Sequence, residues 1–156
     1  MRSRNRFPAG GVILAAVVAL LAAPALLSAQ APGLLRVEGV GDPVSVSAAA
    51  HRGYLAYPAW TLRALGARVD ATPGGARVVF GPDTLDFLVG SPFFTARGRA
   101  WQLLDPGYRE SGVFYLPHQL FMEWLPRTYP DRIAREDGVL RLRSAAAAVA
   151  SAAPAA

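Results

Sequence analysis

The chain has 156 residues, enough for one ordinary domain, and it holds no cysteine, which excludes a disulfide framework and any thiolate metal site. All 16 basic side chains are arginine, set against 11 acids. Without Arg2, Arg4 and Arg6 the balance is 13 to 11, a net of +2, which excludes the concentrated basic face of a nucleic-acid binder.

Residues 1–7 form a basic n-region and 12–27 an almost wholly apolar run, with the small residues Ser28 and Ala29 behind it. This is the three-part form of a secretory signal peptide over 1–29, and it predicts export to the periplasm or cell envelope. The run is short for a spanning helix, and Pro24 interrupts it. Cleavage is expected after Ala29. A cut after Ala31 gives a better pair of small residues but leaves Pro32 just beyond it, and the rival reading is an uncleaved anchor. Membrane contact is expected only through this segment.

Residues 34–46 carry Leu35, Val37, Val40, Val44 and Val46 among glycines, which predicts one or two short strands, with 48–53 as a connection. Tyr54-Leu55-Ala56-Tyr57 is extended, as a residue before proline prefers. Pro58 then suits the first turn of a helix. Leu62 and Leu65 fall on one side of that helix, and Gly66 can end it in the left-handed conformation. Short alternating stretches follow at 68–72, 76–80 and 84–89, and a hairpin over 93–103 turns at Gly98. Sequential strands with tight turns predict an antiparallel meander.

Residues 104–112 read as a polar loop containing Asp105-Pro106-Gly107-Tyr108. A second extended-Pro-helix unit follows, Gly112-Val113-Phe114-Tyr115-Leu116-Pro117 through Trp124. Aligning Pro58 with Pro117 also aligns Gly53 with Gly112, Leu62 with Phe121 and Leu65 with Trp124, without a gap. The glycine stop is not repeated, because Leu125-Pro126 stands in its place. A closing hairpin spans 132–142 across Glu136-Asp137-Gly138. The Ala-rich stretch 144–156 reads as a linker or tail, as in the front part of a longer protein. The expected fold class is α+β: an antiparallel β-meander packed against two short helices over 30–143.

Chemistry-bearing residues are sparse. Two histidines, His51 and His118, without cysteine, do not make up the usual ligand set of a catalytic zinc site. Ser111, His118 and Glu123 make a triad on paper only, since nothing resembles a nucleophile elbow. The carboxylate pairs Asp83/Asp86 and Glu136/Asp137 invite a glycosidase reading, but turn chemistry and an outward strand face account for them. No catalytic, cofactor or metal residue is therefore assigned. Trp60, Trp101 and Trp124, with Phe80, Phe87, Phe93, Phe94, Phe114 and Phe121, are expected mostly in the core. Tyr108 and Arg109 in the polar loop, with Arg97 and Arg99 at the Gly98 turn, are the candidate contact residues. They would offer a stacking ring and cations to a glycan or an anionic wall polymer.

Two glycine-initiated, proline-started helices bracketing a strand meander resemble the copper amine oxidase N-terminal-like domain, or stalk domain. The resemblance runs over about 34–143 and rests on Tyr57-Pro58 to Leu62, Leu65-Gly66-Ala67-Arg68-Val69, the strand ending at Gly90, the hairpin at Gly98, and Phe114-Tyr115-Leu116-Pro117 through Trp124. It departs from the family at the second helix stop and at Ala71, where a tryptophan is often found. The resemblance implies an α+β module without copper or any other cofactor. Such modules often precede N-acetylmuramoyl-L-alanine amidases. The expectation is therefore a non-catalytic envelope module that targets a partner domain at the cell wall, with peptidoglycan or envelope proteins as partners. The alternative is a free-standing periplasmic module that binds other proteins through a sheet edge.

Overall fold

The computed structural model describes residues 33–143; the signal-peptide and linker expectations lie outside them. Thirteen strands form three sheets, mostly antiparallel, with two short helical segments. Among the described residues no helix is long and apolar enough to cross a membrane.

The meander is the five-stranded sheet, β5 (Arg68–Thr72), β6 (Gly75–Phe80), β7 (Asp83–Leu88), β8 (Phe93–Ala96) and β9 (Arg99–Gln102), in sequence order. Period-2 alternation sends Val78, Phe80, Leu85, Phe87, Phe94 and Ala96 inward. Outward, Arg77 pairs with Asp86 at 2.6 Å and Arg68 with Asp70 at 3.0 Å. Tight turns carry the reversals, with Arg97 and Gly98 both at positive φ.

The remaining strands do not extend this sheet. They form two further four-stranded sheets, so the single meander expected over 30–143 is corrected to three sheets. In one, β1 (Leu34–Glu38) lies between β2 (Val44–Ser47) and β13 (Val139–Leu142), with β12 (Ile133–Glu136) outermost. The β1–β13 pairing is parallel and joins the two ends of the domain, with Val37 opposite Leu140. Glu38 bridges Arg36 at 2.9 Å and Arg141 at 2.8 Å, and the Arg141 hydrogen bond holds its carboxyl below the usual range.

The third sheet has the order β10 (Tyr108–Glu110), β11 (Val113–Pro117), β4 (Tyr54–Pro58), β3 (Ala49–His51). The Pro58 and Pro117 units meet here. Strand β4 pairs antiparallel with β11, placing Tyr57 opposite Leu116, Ala56 opposite Pro117 and Pro58 opposite Tyr115. The 59-residue offset between the two units exchanges these partners, so the units are related by a local two-fold through the Tyr57–Leu116 pair. The same offset carries β3 onto β10, and the Arg52-Gly53 turn onto Ser111-Gly112, all four residues at positive φ. The segments 48–53 and 104–112 therefore each contain a strand that the sequence reading had as connection or loop.

The two helices differ in winding. Ala59–Leu65 is 3₁₀ and ends at Gly66 with φ 79°, whose N–H donates to the Arg63 carbonyl. It packs against β1, β2, β5 and β11, burying Leu62 and Leu65 while Trp60 stays 43% exposed. The second helix continues past Pro126: Leu120–Trp124 is wound as π and Leu125–Thr128 as α. Proline cannot donate to the carbonyl four residues back, that of Met122; Arg135 Nη1 donates to it instead, at 3.3 Å. This helix closes the inner face of the meander, with Trp124 edge-on to Phe94 at 4.9 Å and Tyr129 edge-on to Phe80 at 4.9 Å.

Candidate functional site

Where the β8–β9 hairpin stands away from the second helix, a cleft of about 700 Å³ opens. Its size lies within the usual range for small-ligand sites. The hairpin wall contributes Arg97, Arg99 and Trp101, and the helix wall Gln119, Glu123 and Arg127. The helix residues are spaced by four, which puts them in one row along a helical face. Their neighbours Leu120, Trp124 and Leu125 turn into the core.

The floor is Trp124, held by edge contacts with Phe94, Trp101 at 5.6 Å and Tyr129 at 5.9 Å. Its indole N–H is buried without an acceptor. Trp101 is 37% exposed, and its Nε1 donates to the Ala96 carbonyl at 3.4 Å, which fixes the ring on the hairpin. The Leu104 N–H donates to Gln119 Oε1 at 2.7 Å and ties the end of the hairpin to the helix.

The cations differ in availability. Arg97 is neutralised by Asp83 at 2.8 Å, and its guanidinium sits 4.9 Å from the Tyr129 ring centroid. Burial, reinforced by the Asp83 carboxylate, pushes the Tyr129 phenol up to about 12. Arg99 and Arg127 make no ion pair among the described residues. The cleft thus offers two uncommitted guanidinium groups, the Glu123 carboxylate, the Gln102 amide and an indole, the Gln119 amide being engaged by Leu104 and Glu123. These are groups for holding an anion and a flat apolar face; they include no nucleophile paired with a base.

The structure divides the four expected contact residues. Arg97 and Arg99 line the cleft; Tyr108 and Arg109 do not. Tyr108 stands in β10, not in a polar loop, and is only 6% exposed. Its ring is stacked between His51 at 3.8 Å and Tyr115 at 4.9 Å. Its hydroxyl has no partner, and burial pushes it up to about 12. Arg109 donates to the Thr72 carbonyl. The Asp105-Pro106-Gly107 turn signal masked this strand; the 59-residue repeat, which sets Ala49-Ala50-His51 against Tyr108-Arg109-Glu110, was the signal that could have found it.

Most of the aromatics are core as expected, but Trp60, Phe93 and Trp101 are exposed. Trp101 takes the place assigned to Tyr108. Arg127 is not a candidate in the sequence, where the second helix is followed only as far as Trp124.

The other polar candidates have structural roles. His51 is half-buried in β3, not in a loop. His118, which follows Pro117 at the start of the second helix, is half-buried with Nδ1 3.2 Å from the Tyr57 hydroxyl. Burial lowers its pKa, and Arg135 lowers it further. Ser111 forms a turn at φ 48°. Asp83, Asp86 and Glu136 are each paired with an arginine. Among the described residues no group of three or more His, Asp or Glu is placed to hold a metal ion.

No protein-family model, curated protein or solved structure matches this chain.

Proposed function

We propose that this chain is a non-catalytic module of the cell envelope that targets a partner domain to the cell wall, as the N-terminal part of a secreted N-acetylmuramoyl-L-alanine amidase. The observation that carries the reading is the cleft walled by Trp101, Arg99 and Arg127, a surface equipped to bind and not to react. The apolar leader over 12–27, the Ala-rich stretch from 144 and the resemblance to the copper amine oxidase N-terminal-like domain support export and a following partner domain.

Sedimentation of the full chain with purified peptidoglycan tests the targeting role. The chain is expected in the pellet, and its retention in the supernatant would sink the reading. A zinc amidase domain in the reading frame beyond Ala156 supports the partner assignment; a stop codon there removes it.

One observation favours the second reading, a free-standing periplasmic module that binds proteins. Strand β9 is an edge of the meander, and all four of its residues are exposed. Phe93 at 53% and Leu88 at 63% exposure lie nearby on β8 and β7. An open edge of this kind can accept a partner strand. Crosslinking in envelope extract after substitution of Ala100 by proline separates the two: loss of partners with wall sedimentation unchanged would mark the edge as a separate interface.

A further inference from the structure

We infer that the cleft between the β8–β9 hairpin and the second helix recognises a glycan chain carrying free carboxylate groups, and that it discriminates against the same chain when those carboxyls are blocked as amides. The inference rests on the reading of the cleft as the contact site of the module, and it adds the ligand chemistry.

Three features point to this class. Trp101 is more than one-third exposed but held in place by its bond to the Ala96 carbonyl. A fixed indole is a platform for the apolar C–H face of a pyranose ring, and it costs little side-chain entropy to use. Gln102 presents a free amide and Glu123 a carboxylate around it, while the Gln119 amide is held between the Leu104 N–H and Glu123. That mixture of donors and acceptors suits hydroxyl groups, which both give and take hydrogen bonds.

The third feature is charge. Arg97 is already paired with Asp83, whereas Arg99 on the hairpin and Arg127 on the helix have no acidic partner among the described residues. Guanidinium groups offered from both walls match planar carboxylates. A neutral glycan would use the indole and the amides but leave both cations without a counter-charge. An acidic peptide would satisfy the cations without needing the indole platform.

In wall glycan, a carboxyl on the muramyl lactyl group is an amide while the stem peptide is attached and a free carboxylate after the peptide is removed. Carboxylates of the stem peptide lie residues away from the sugar, whereas the freed lactyl carboxylate sits on the ring that would stack on Trp101, so the cleft would prefer stripped strands, the product of an amide-cleaving hydrolase, over intact ones.

The test is a tryptophan-fluorescence titration of the full chain with four probes: glycan strands stripped of stem peptides, the same strands with peptides attached, a neutral chitin oligosaccharide of equal length, and a poly-glutamate peptide. Stripped strands are expected to bind tightest, with neutral chitin roughly ten- to a hundredfold weaker, the worth of one hydrogen bond to a charged group. Arg99→Gln and Arg127→Gln should each lower affinity for stripped strands towards that of chitin, leaving chitin binding unchanged. Trp101→Ala should weaken both. Arg68→Gln, an exposed arginine outside this cleft, should change neither. Thermal melting confirms that each variant is folded.

Equal affinity for stripped strands and chitin, unaltered binding by both arginine variants, or binding of peptide-bearing strands as tight as that of stripped ones overturns the carboxylate assignment. If the chain still sediments with whole peptidoglycan in that case, the targeting role stands and only this inference falls. Preference for poly-glutamate over every glycan overturns it in favour of a protein partner.

Discussion

Tyr108 carries a buried hydroxyl group with no hydrogen-bond partner, Tyr129 a buried hydroxyl beside the Asp83 carboxylate, and both are pushed up to about 12. The folded-state value lies above the unfolded one. Stability from the neutral phenol is therefore fully present below pH 10, and it falls as pH rises from 10 to about 12, because the unfolded chain ionises first. Over that interval each tyrosine is expected to withdraw on the order of 2–3 kcal/mol. Urea titrations from pH 9 to pH 12 should show the loss, and it should be smaller in Tyr108→Phe and Tyr129→Phe. At neutral pH, Tyr108→Phe should stabilise by about 1 kcal/mol, since it removes an unpaired buried polar group and keeps the stacked ring. A fall in stability would show that the hydroxyl has a bound partner. Two adjacent glycines offer a sharper contrast. A Cβ on Gly75 would overlap the Phe87 carbonyl on the neighbouring strand, whereas one on Gly74 meets nothing within 4 Å. Gly75→Ala should cost about 3 kcal/mol and Gly74→Ala well under 1 kcal/mol by denaturant midpoint. Equal effects would mean that this part of the meander is looser than its register implies.

At the scale of elements, the second helix decides where the cleft lies. Arg127 joins the row of Gln119 and Glu123 only because the helix runs through Pro126. The π-wound turn and the Arg135 bond to the Met122 carbonyl are the means of doing so. Arg135→Ala should therefore cost about 1 kcal/mol in the natural sequence. The cost should shrink in a Pro126→Ala background, where the restored N–H can bond Met122. A double-mutant cycle reads the coupling, and additive effects would remove the compensation argument. The first helix needs no such device. Gly66 closes it in the left-handed region, where residues with a side chain are strained. This explains why one repeat ends as a 3₁₀ turn and the other extends far enough to wall a cleft.

At the scale of the whole molecule, the parallel β1–β13 pairing closes the domain by joining its first strand to its last. Leu35 and Leu140 are both fully buried in that sheet. Leu35→Ala and Leu140→Ala should each cost about 2–5 kcal/mol in urea unfolding, and either should lower the single cooperative transition of the whole domain. Melting of one sheet ahead of the others would show that the closure is not part of one core.

Much of this architecture was legible in the sequence. Alternation marks the meander strands, Gly98 the turn of their last hairpin, Asp137-Gly138 the turn of the closing β12–β13 hairpin, and the Pro58/Pro117 alignment the internal repeat. These are local signals, set by side-chain period and by the φ values that glycine and proline allow. Of the candidate contact residues, the sequence places Arg97 and Arg99 at the hairpin turn, where they line the cleft; it does not show that Tyr108 is buried in β10 or that Trp101 faces the cleft. Tertiary structure alone decided the division into three sheets, the parallel closure, the two-fold meeting of the repeats and the cleft. Each depends on contacts between residues far apart in the chain, whose geometry no local period encodes. The continuation of the helix past Pro126 belongs with them, because it depends on a carbonyl partner, Arg135, from another strand.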